Sequence, residues 1–238
     1  MRRRIVSLLF ALPLLATATL SSCDDGKIYD DNHVVEREGS TVKLTAKVSG
    51  GDTWAAGYSL VLAGFEEGNE YAQLAKGISV DGNGTATLVM SGVTSNIKEL
   101  EVCVINKLRK RIVSFYTVDF TEQSDTVRLD AGTIDASMYA GIQQAVFNEN
   151  CVNCHGASTG AAAGLYLTAG KSYAHLVNVK AVSSEGERIR VVPGSVEESF
   201  LMDVLEKGAS PHHHTDILSA KTDRLSLLED WIEAGAKE

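Results

Sequence analysis

Cysteine is scarce in this chain, with four among 238 residues, at positions 23, 103, 151 and 154. Their uneven placement does not make the even-numbered framework of a disulfide-stapled secreted fold, so each thiol needs its own explanation. Basic residues are also in deficit. With 22 Lys and Arg against 31 Asp and Glu the formal net charge is -9, which argues against nucleic acid or anionic lipid as the main partner, since both require a basic surface. An apolar run of the ~20 residues needed to span a bilayer is missing too. The candidate, Ile5 to Leu20, is shorter and is interrupted by Pro13. What is present is a globular balance, 44% hydrophobic and 22% charged, in a length that suits two small domains.

The chain opens Met1-Arg2-Arg3-Arg4, continues through that apolar stretch and ends it with Ser21, Ser22 and Cys23. A charged start, a short apolar centre and a small-residue end describe an export signal over residues 1–22, which does not count as structure. The tetrapeptide Leu20-Ser21-Ser22-Cys23 resembles the lipobox of bacterial lipoproteins. That resemblance implies that the Cys23 thiol is lipidated and heads the mature chain. Several acyl chains, each methylene worth about 0.8 kcal/mol, hold a protein on a membrane far better than one myristoyl chain does. The expected location is a bacterial membrane, with the protein facing the periplasm or the cell surface and the outer membrane favoured. Residues 23–33 then form a polar tether, which includes His33.

Residues 34–130 alternate. In Thr41-Val42-Lys43-Leu44-Thr45-Ala46-Lys47-Val48 apolar and polar residues exchange at every step, the period of a strand with one wet face. Similar runs at Tyr58 to Ala63, Thr85 to Met90, Glu99 to Asn106, Arg111 to Phe120 and Asp125 to Leu129 are separated by Gly, Asn and Asp clusters. Six or so such strands predict an all-β antiparallel sandwich of immunoglobulin-like kind. Asp81-Gly82-Asn83-Gly84 reads as a turn, because it lacks the spaced oxygen ligands of a calcium loop. Cys103, in Glu101-Val102-Cys103-Val104-Ile105, reads as a packed strand residue, with no cationic cluster nearby in sequence to activate it.

The chemistry is concentrated in Cys151-Val152-Asn153-Cys154-His155. Two cysteines two residues apart and followed directly by histidine are the spacing of covalent haem c attachment: the thiols form thioethers with the vinyl groups, and the adjacent imidazole serves the iron. A zinc knuckle would need a second ligand pair, and a thioredoxin-like redox pair would not need His155. An export signal agrees with haem, which is attached outside the cytoplasm.

Helical signals surround the motif. Ser137 to Glu149 places Met138, Ile142, Ala145 and Val146 at mostly helical spacing, and Ser195-Val196-Glu197-Glu198 reads as a capping box opening a helix through about Lys207. Asp223 to Ala234 repeats Leu225, Leu228, Trp231 and Ile232 at helical intervals. Residues 133–238 are thus expected to form an all-α domain. Arg190-Val191-Val192-Pro193-Gly194, Ser199-Phe200-Leu201, Leu218-Ser219 and Trp231-Ile232-Glu233-Ala234-Gly235-Ala236 occur in the order found in bacterial single-haem c-type cytochrome domains, which this part of the chain resembles. The resemblance implies a cytochrome c-like fold and, in the family, a Met-Pro pair before the last helix whose methionine is the sixth iron ligand.

Here that stretch reads Ser210-Pro211-His212-His213-His214-Thr215 and carries no methionine. Imidazole also ligates iron. The expectation is therefore bis-histidine coordination by His155 with His212, nearest the family's methionine position, or with His214. The alternatives are an exposed histidine loop that ligates nothing, or Met202, which stands beside a helix's apolar stripe. His175 is expected at the surface of a short helix. Arg188 and Arg190 are candidates to pair haem propionates, with Arg190 carried forward, and the alternative is that they are ordinary surface arginines.

Together these readings describe a lipid-anchored monohaem electron carrier rather than an enzyme, with a redox protein bearing a basic docking surface as partner and no nucleic acid. The alternatives are a haem enzyme or a gas or peroxide sensor with an open sixth position, and a surface binding lipoprotein in which the β-sandwich does the work.

Overall fold

A computed structural model of the chain describes residues 38–156, 160–182, 187–210, 212 and 214–238. The export signal, Cys23, the tether, Pro211 and His213 lie outside the described residues.

Among the described residues seven strands form two sheets. The three-stranded sheet has the order β4 (Thr85–Val93), β1 (Ser40–Ser49), β7 (Val127–Asp135). The four-stranded sheet has the order β3 (Leu74–Gly77), β2 (Tyr58–Phe65), β5 (Glu99–Asn106), β6 (Arg111–Asp119). The alternation of β1 works as its sequence implies: Val42, Leu44, Ala46 and Val48 are buried while Thr45 and Lys47 are exposed. Those side chains, with Leu88 and Met90 of β4, meet Leu62 of β2 and Leu100 and Val102 of β5 in a core between the sheets. Asp81 behaves as a turn residue. Its carboxylate accepts from the backbone N–H groups of Asn83 (2.9 Å) and Thr85 (2.8 Å), and these bonds hold it below the ordinary carboxylate range.

The purely antiparallel expectation needs correction, because β1 runs antiparallel to β4 but parallel to β7. The β1–β7 register slips between Thr45 and Lys47, where β7 takes an extra residue. Gly132 absorbs the bulge at φ 64°, a backbone conformation that glycine adopts without steric cost, while its N–H is held by Asp130 at 3.0 Å.

The expectation of an all-α, cytochrome c-like C-terminal domain is overturned. After β7 come α1 (Met138–Ile142), a π-helical segment (Gln143–Cys151), α2 (Val152–His155), a 3-10 turn (Ala162–Gly164), α3 (Ser172–Leu176), α4 (Phe200–Glu206) and α5 (Thr222–Glu233). Apart from α5 and the π segment these have seven residues or fewer, and turns, loops and isolated bridges such as Val177–Val191 and Lys180–Ile189 connect them. With the two sheets they make a mixed α/β protein. Short helices cannot present a sustained apolar stripe to one another. Their core is therefore completed by the sheet: Val104 of β5 and Ile112 and Val113 of β6 are buried in one cluster with Met138, Ile142, Phe147, Leu228 and Trp231.

One face of β5 serves both cores, since Leu100 and Val102 belong to the inter-sheet cluster and Val104 to the second. Trp54, in the β1–β2 connection, lies against Gly141 of α1 so closely that a Cβ there would come within 2.7 Å of the indole. Polar contacts add to the joint. Tyr58 donates to Asp230 at 2.6 Å, Gln144 donates to the Ser114 carbonyl at 2.8 Å, Lys110 pairs with Asp223 at 3.3 Å, and Arg224 donates to the Ile112 carbonyl. Burial, and then the Asp230 carboxylate, push the Tyr58 hydroxyl far above its ordinary value. Arg37–Glu238 accordingly form a single compact unit.

Candidate haem-binding cleft

The π-helical segment delivers Cys151 as its last residue, and α2 carries Cys154 and His155. Asn150 donates from Nδ2 to the Val146 carbonyl (2.9 Å), and its Oδ1 accepts from Lys221 (2.8 Å). Side-chain donation to a carbonyl of the preceding turn competes with tight α-helical pairing, and wide turns of this kind often mark functional segments. Beneath it runs a buried polar chain. Tyr139 donates to the Ser172 hydroxyl at 2.6 Å, Ser172 donates to Gln143 Oε1, and Gln143 Nε2 donates to Asn148 Oδ1 (2.7 Å) and the Leu167 carbonyl (2.9 Å). The Leu167 N–H in turn donates to the His155 carbonyl at 2.8 Å. A polar network with every member paired holds one geometry, so His155 is fastened to the core from its main chain.

Cys151, Cys154 and His155 open onto one cleft of about 670 Å³. Its walls are mainly apolar, with Leu165, Leu167, Leu176, Phe200, Leu201, Val204, Leu205 and Ile217 among the lining residues. The size and character suit a single prosthetic group. Cys154 is exposed and Cys151 partly buried; burial, with the Cys154 thiol nearby, pushes the Cys151 thiol up to about 11. His155 Nδ1 lies 3.1 Å from the Ala162 carbonyl and 3.2 Å from that of Leu165. Its pKa lies below the ordinary imidazole value, chiefly through burial, with His214 and Arg190 adding to the effect. A neutral ring whose Nδ1–H is held by carbonyls has Nε2 free as a ligand.

His214 lines the same cleft, its ring centroid 6.3 Å from that of His155 and the planes inclined at 31°. His212 also lines the cleft but is exposed. Met202, 2% exposed, belongs to the core and does not line the cleft. Arg190 does line it, is 7% exposed, and donates to the carbonyls of His175 (2.7 Å) and Ala163 (2.9 Å). Burial alone lowers its pKa, and among the described residues no acidic side chain offsets that effect. A buried cation without a counter-charge is costly in isolation, and an anionic group entering the cleft would neutralise it. Arg188 instead pairs with Asp203 at 2.7 Å. The His175 ring packs beside Tyr166, 5.0 Å between centroids, and is not among the cleft residues.

The capping-box reading of Ser195 holds only in part. Its hydroxyl accepts from Glu198 N–H at 3.3 Å, yet α4 begins at Phe200. The Ser199 hydroxyl bonds Val192 N–H (2.9 Å) and the Ser195 carbonyl (2.7 Å), which closes a turn ahead of the helix. That turn brings Phe200, Leu201 and Val204 to the cleft. Leu165 and Phe200 carried no chemical signal in the sequence and became cleft residues only through the path of the chain.

The donor set fits a haem group. Two thiols at the attachment spacing, the imidazole that follows them, apolar walls and a buried cation share one cleft of adequate volume. Among the described residues no three His, Cys, Asp or Glu side chains are grouped to hold a bare metal ion. A second concavity, of about 630 Å³, is lined by Glu187, Arg188, Ile189, Val192, Ser195, Glu197 and Glu198 and contains neither thiol nor imidazole. No protein-family model matches the chain, and no curated protein is similar enough to count as a relative.

Proposed function

We propose that the protein is a one-electron carrier working outside the cytoplasm, in which Cys151 and Cys154 would hold haem c covalently and His155 would ligate its iron. The observation that carries this reading is the shared apolar cleft onto which Cys151, Cys154 and His155 all open. When bound, the iron supplies a single-electron couple. The two thiols hold the group in place, and the carbonyls of Ala162 and Leu165 fix the His155 ring through Nδ1. Arg190 offers an anionic edge of the group a buried guanidinium with N–H donors to spare. The leucines and Phe200 exclude water from the faces, which favours electron exchange over ligand chemistry.

Lipidation at Cys23 would tether this carrier to a membrane, and its acidic balance favours a partner with a basic docking surface. The decisive test is haem staining after denaturing electrophoresis, together with a reduced-minus-oxidised spectrum of protein made with haem-attachment machinery. A stained band that vanishes in the double variant Cys151→Ala/Cys154→Ala supports the proposal. An unstained wild-type band overturns it. Release of Cys23→Ala protein from the membrane fraction checks the anchor separately.

A further inference from the structure

On the haem reading His155 would supply one iron ligand, and the structure bears on a second. Resting on the haem reading above, we infer that His214, and not His212 or Met202, is the residue that would ligate the iron together with His155, so that the iron would be held by two histidines, one from α2 and one from the loop between α4 and α5. Four observations carry the assignment. Metal–imidazole bonds run about 2.0–2.1 Å, so two of them in line, with half a ring at each end, set the centroids roughly 6 Å apart; the His155 and His214 centroids are 6.3 Å apart, with planes inclined at 31°. Both rings are held the same way, His155 Nδ1 by the Ala162 and Leu165 carbonyls and His214 Nδ1 by the His212 carbonyl at 2.8 Å. Each therefore keeps Nε2 free, and a ligand oriented by a carbonyl on its other nitrogen is the usual arrangement at metal sites.

Third, the loop is anchored at both ends. The Ala209 N–H donates to the Asp203 carbonyl at 3.2 Å, and the Ile217 N–H donates to the His214 carbonyl at 3.1 Å just before Leu218, which is 1% exposed. His214 thus sits on a turn tied to the core, whereas His212 is exposed and takes part through its main-chain carbonyl. Fourth, Met202 points its thioether into the apolar core, where it fills space. The pairing also sets an electronic expectation, because thioether ligation raises a haem potential and a second imidazole leaves it lower.

The test uses the full-length, haem-loaded protein and its variants His214→Ala, His214→Met, His212→Ala and Met202→Leu. Haem staining reports covalent attachment and hence the underlying reading; optical spectra, electron paramagnetic resonance and near-infrared magnetic circular dichroism report the ligands. The wild-type protein is expected to be low-spin with a bis-imidazole near-infrared signature. His214→Ala should stain as wild type but turn high-spin, returning to low-spin with added imidazole. His214→Met should raise the midpoint potential, and His212→Ala and Met202→Leu should leave the spin state unchanged. If His214→Ala fails to fold, the wild-type near-infrared signature still decides between a thioether and two imidazoles, and an unaltered His212→Ala spectrum decides between the histidines. A stained His214→Ala protein that stays low-spin without imidazole, or loss of the low-spin state in His212→Ala or Met202→Leu, overturns the inference while leaving haem attachment intact. Absence of stain in the wild type overturns the haem reading itself and this assignment with it.

Discussion

Replacement of Gly141 by alanine measures how tightly the sheets and the helical segment are joined. Alanine in place of glycine within a helix normally stabilises by up to about 1 kcal/mol. Here the added Cβ would lie 2.7 Å from Cη2 and 2.9 Å from Cζ2 of Trp54, and 3.3 Å from a Val113 methyl. The indole has little freedom to retreat, because its N–H donates to the Ala136 carbonyl at 2.7 Å and its ring packs on Tyr58, 5.5 Å between centroids. Overpacking of this kind costs about 1–3 kcal/mol, which exceeds the propensity gain. The expected result is a net loss of about 1–2 kcal/mol, or a fall in Tm of roughly 2–8 °C for a chain of this size. The sign should reverse when Trp54 is removed. In a Trp54→Ala background, itself destabilised, Gly141→Ala should be neutral or stabilising, a coupling that a double-mutant cycle reads directly. Chemical denaturation followed by far-ultraviolet circular dichroism supplies all four free energies. A stabilising Gly141→Ala in the wild-type background would refute the packing argument.

Three further outcomes follow from the same contacts. Excision of residues 24–130 should leave the remainder without cooperative unfolding, since Val104, Ile112 and Val113 and the Tyr58–Asp230 bond would be lost; a sharp thermal transition in the isolated fragment would contradict the shared core. Arg190→Met should cost about 1–3 kcal/mol through the carbonyls of Ala163 and His175 left without donors. In the haem-loaded protein it should also lower the midpoint potential, because removing a nearby cation favours the more positive oxidised iron; potentiometric titration showing no shift would place the guanidinium away from the centre. Asp203 is held below the ordinary carboxylate range by its bonds to Lys207 and Arg188. A depressed folded value contributes stability that is present above the unfolded value of about 3.9 and lost as pH falls through the folded one. Asp203→Asn should therefore flatten the acid limb of the stability curve, and an unchanged limb would assign acid lability to other carboxylates.

Legibility varied with the range of the interaction. Strands with a clean period of two were readable, and β5 spans the very residues its pattern implied. Leu74–Gly77 was not, because four residues ending in Lys-Gly carry no alternation, and the strand forms by pairing with Val61 to Gly64 of β2. The helix expected over Ser137 to Glu149 is there in outline, but its second half widens into π turns beside the paired side chains of Gln143 and Asn150. The all-α expectation failed for a related reason. Helical spacing shows which face of a segment is apolar, and it is silent on whether that face meets another helix or a strand.

The sequence by itself carried the attachment spacing on which the proposed haem chemistry rests, since the placement of Cys151, Cys154 and His155 is a local property of five consecutive residues. It also determined the alternation of the strands, confined to short stretches of chain, and it is the sole basis for the expected export and lipidation signals. Only the tertiary structure decided that Trp54, Tyr58 and Ile112 complete the core beneath the motif, that Arg190 is buried with no acidic partner among the described residues, and that the His214 ring lies 6.3 Å from that of His155. Those facts depend on contacts between residues tens of positions apart, and such distances are set by how the whole chain packs rather than by the pattern of any one segment.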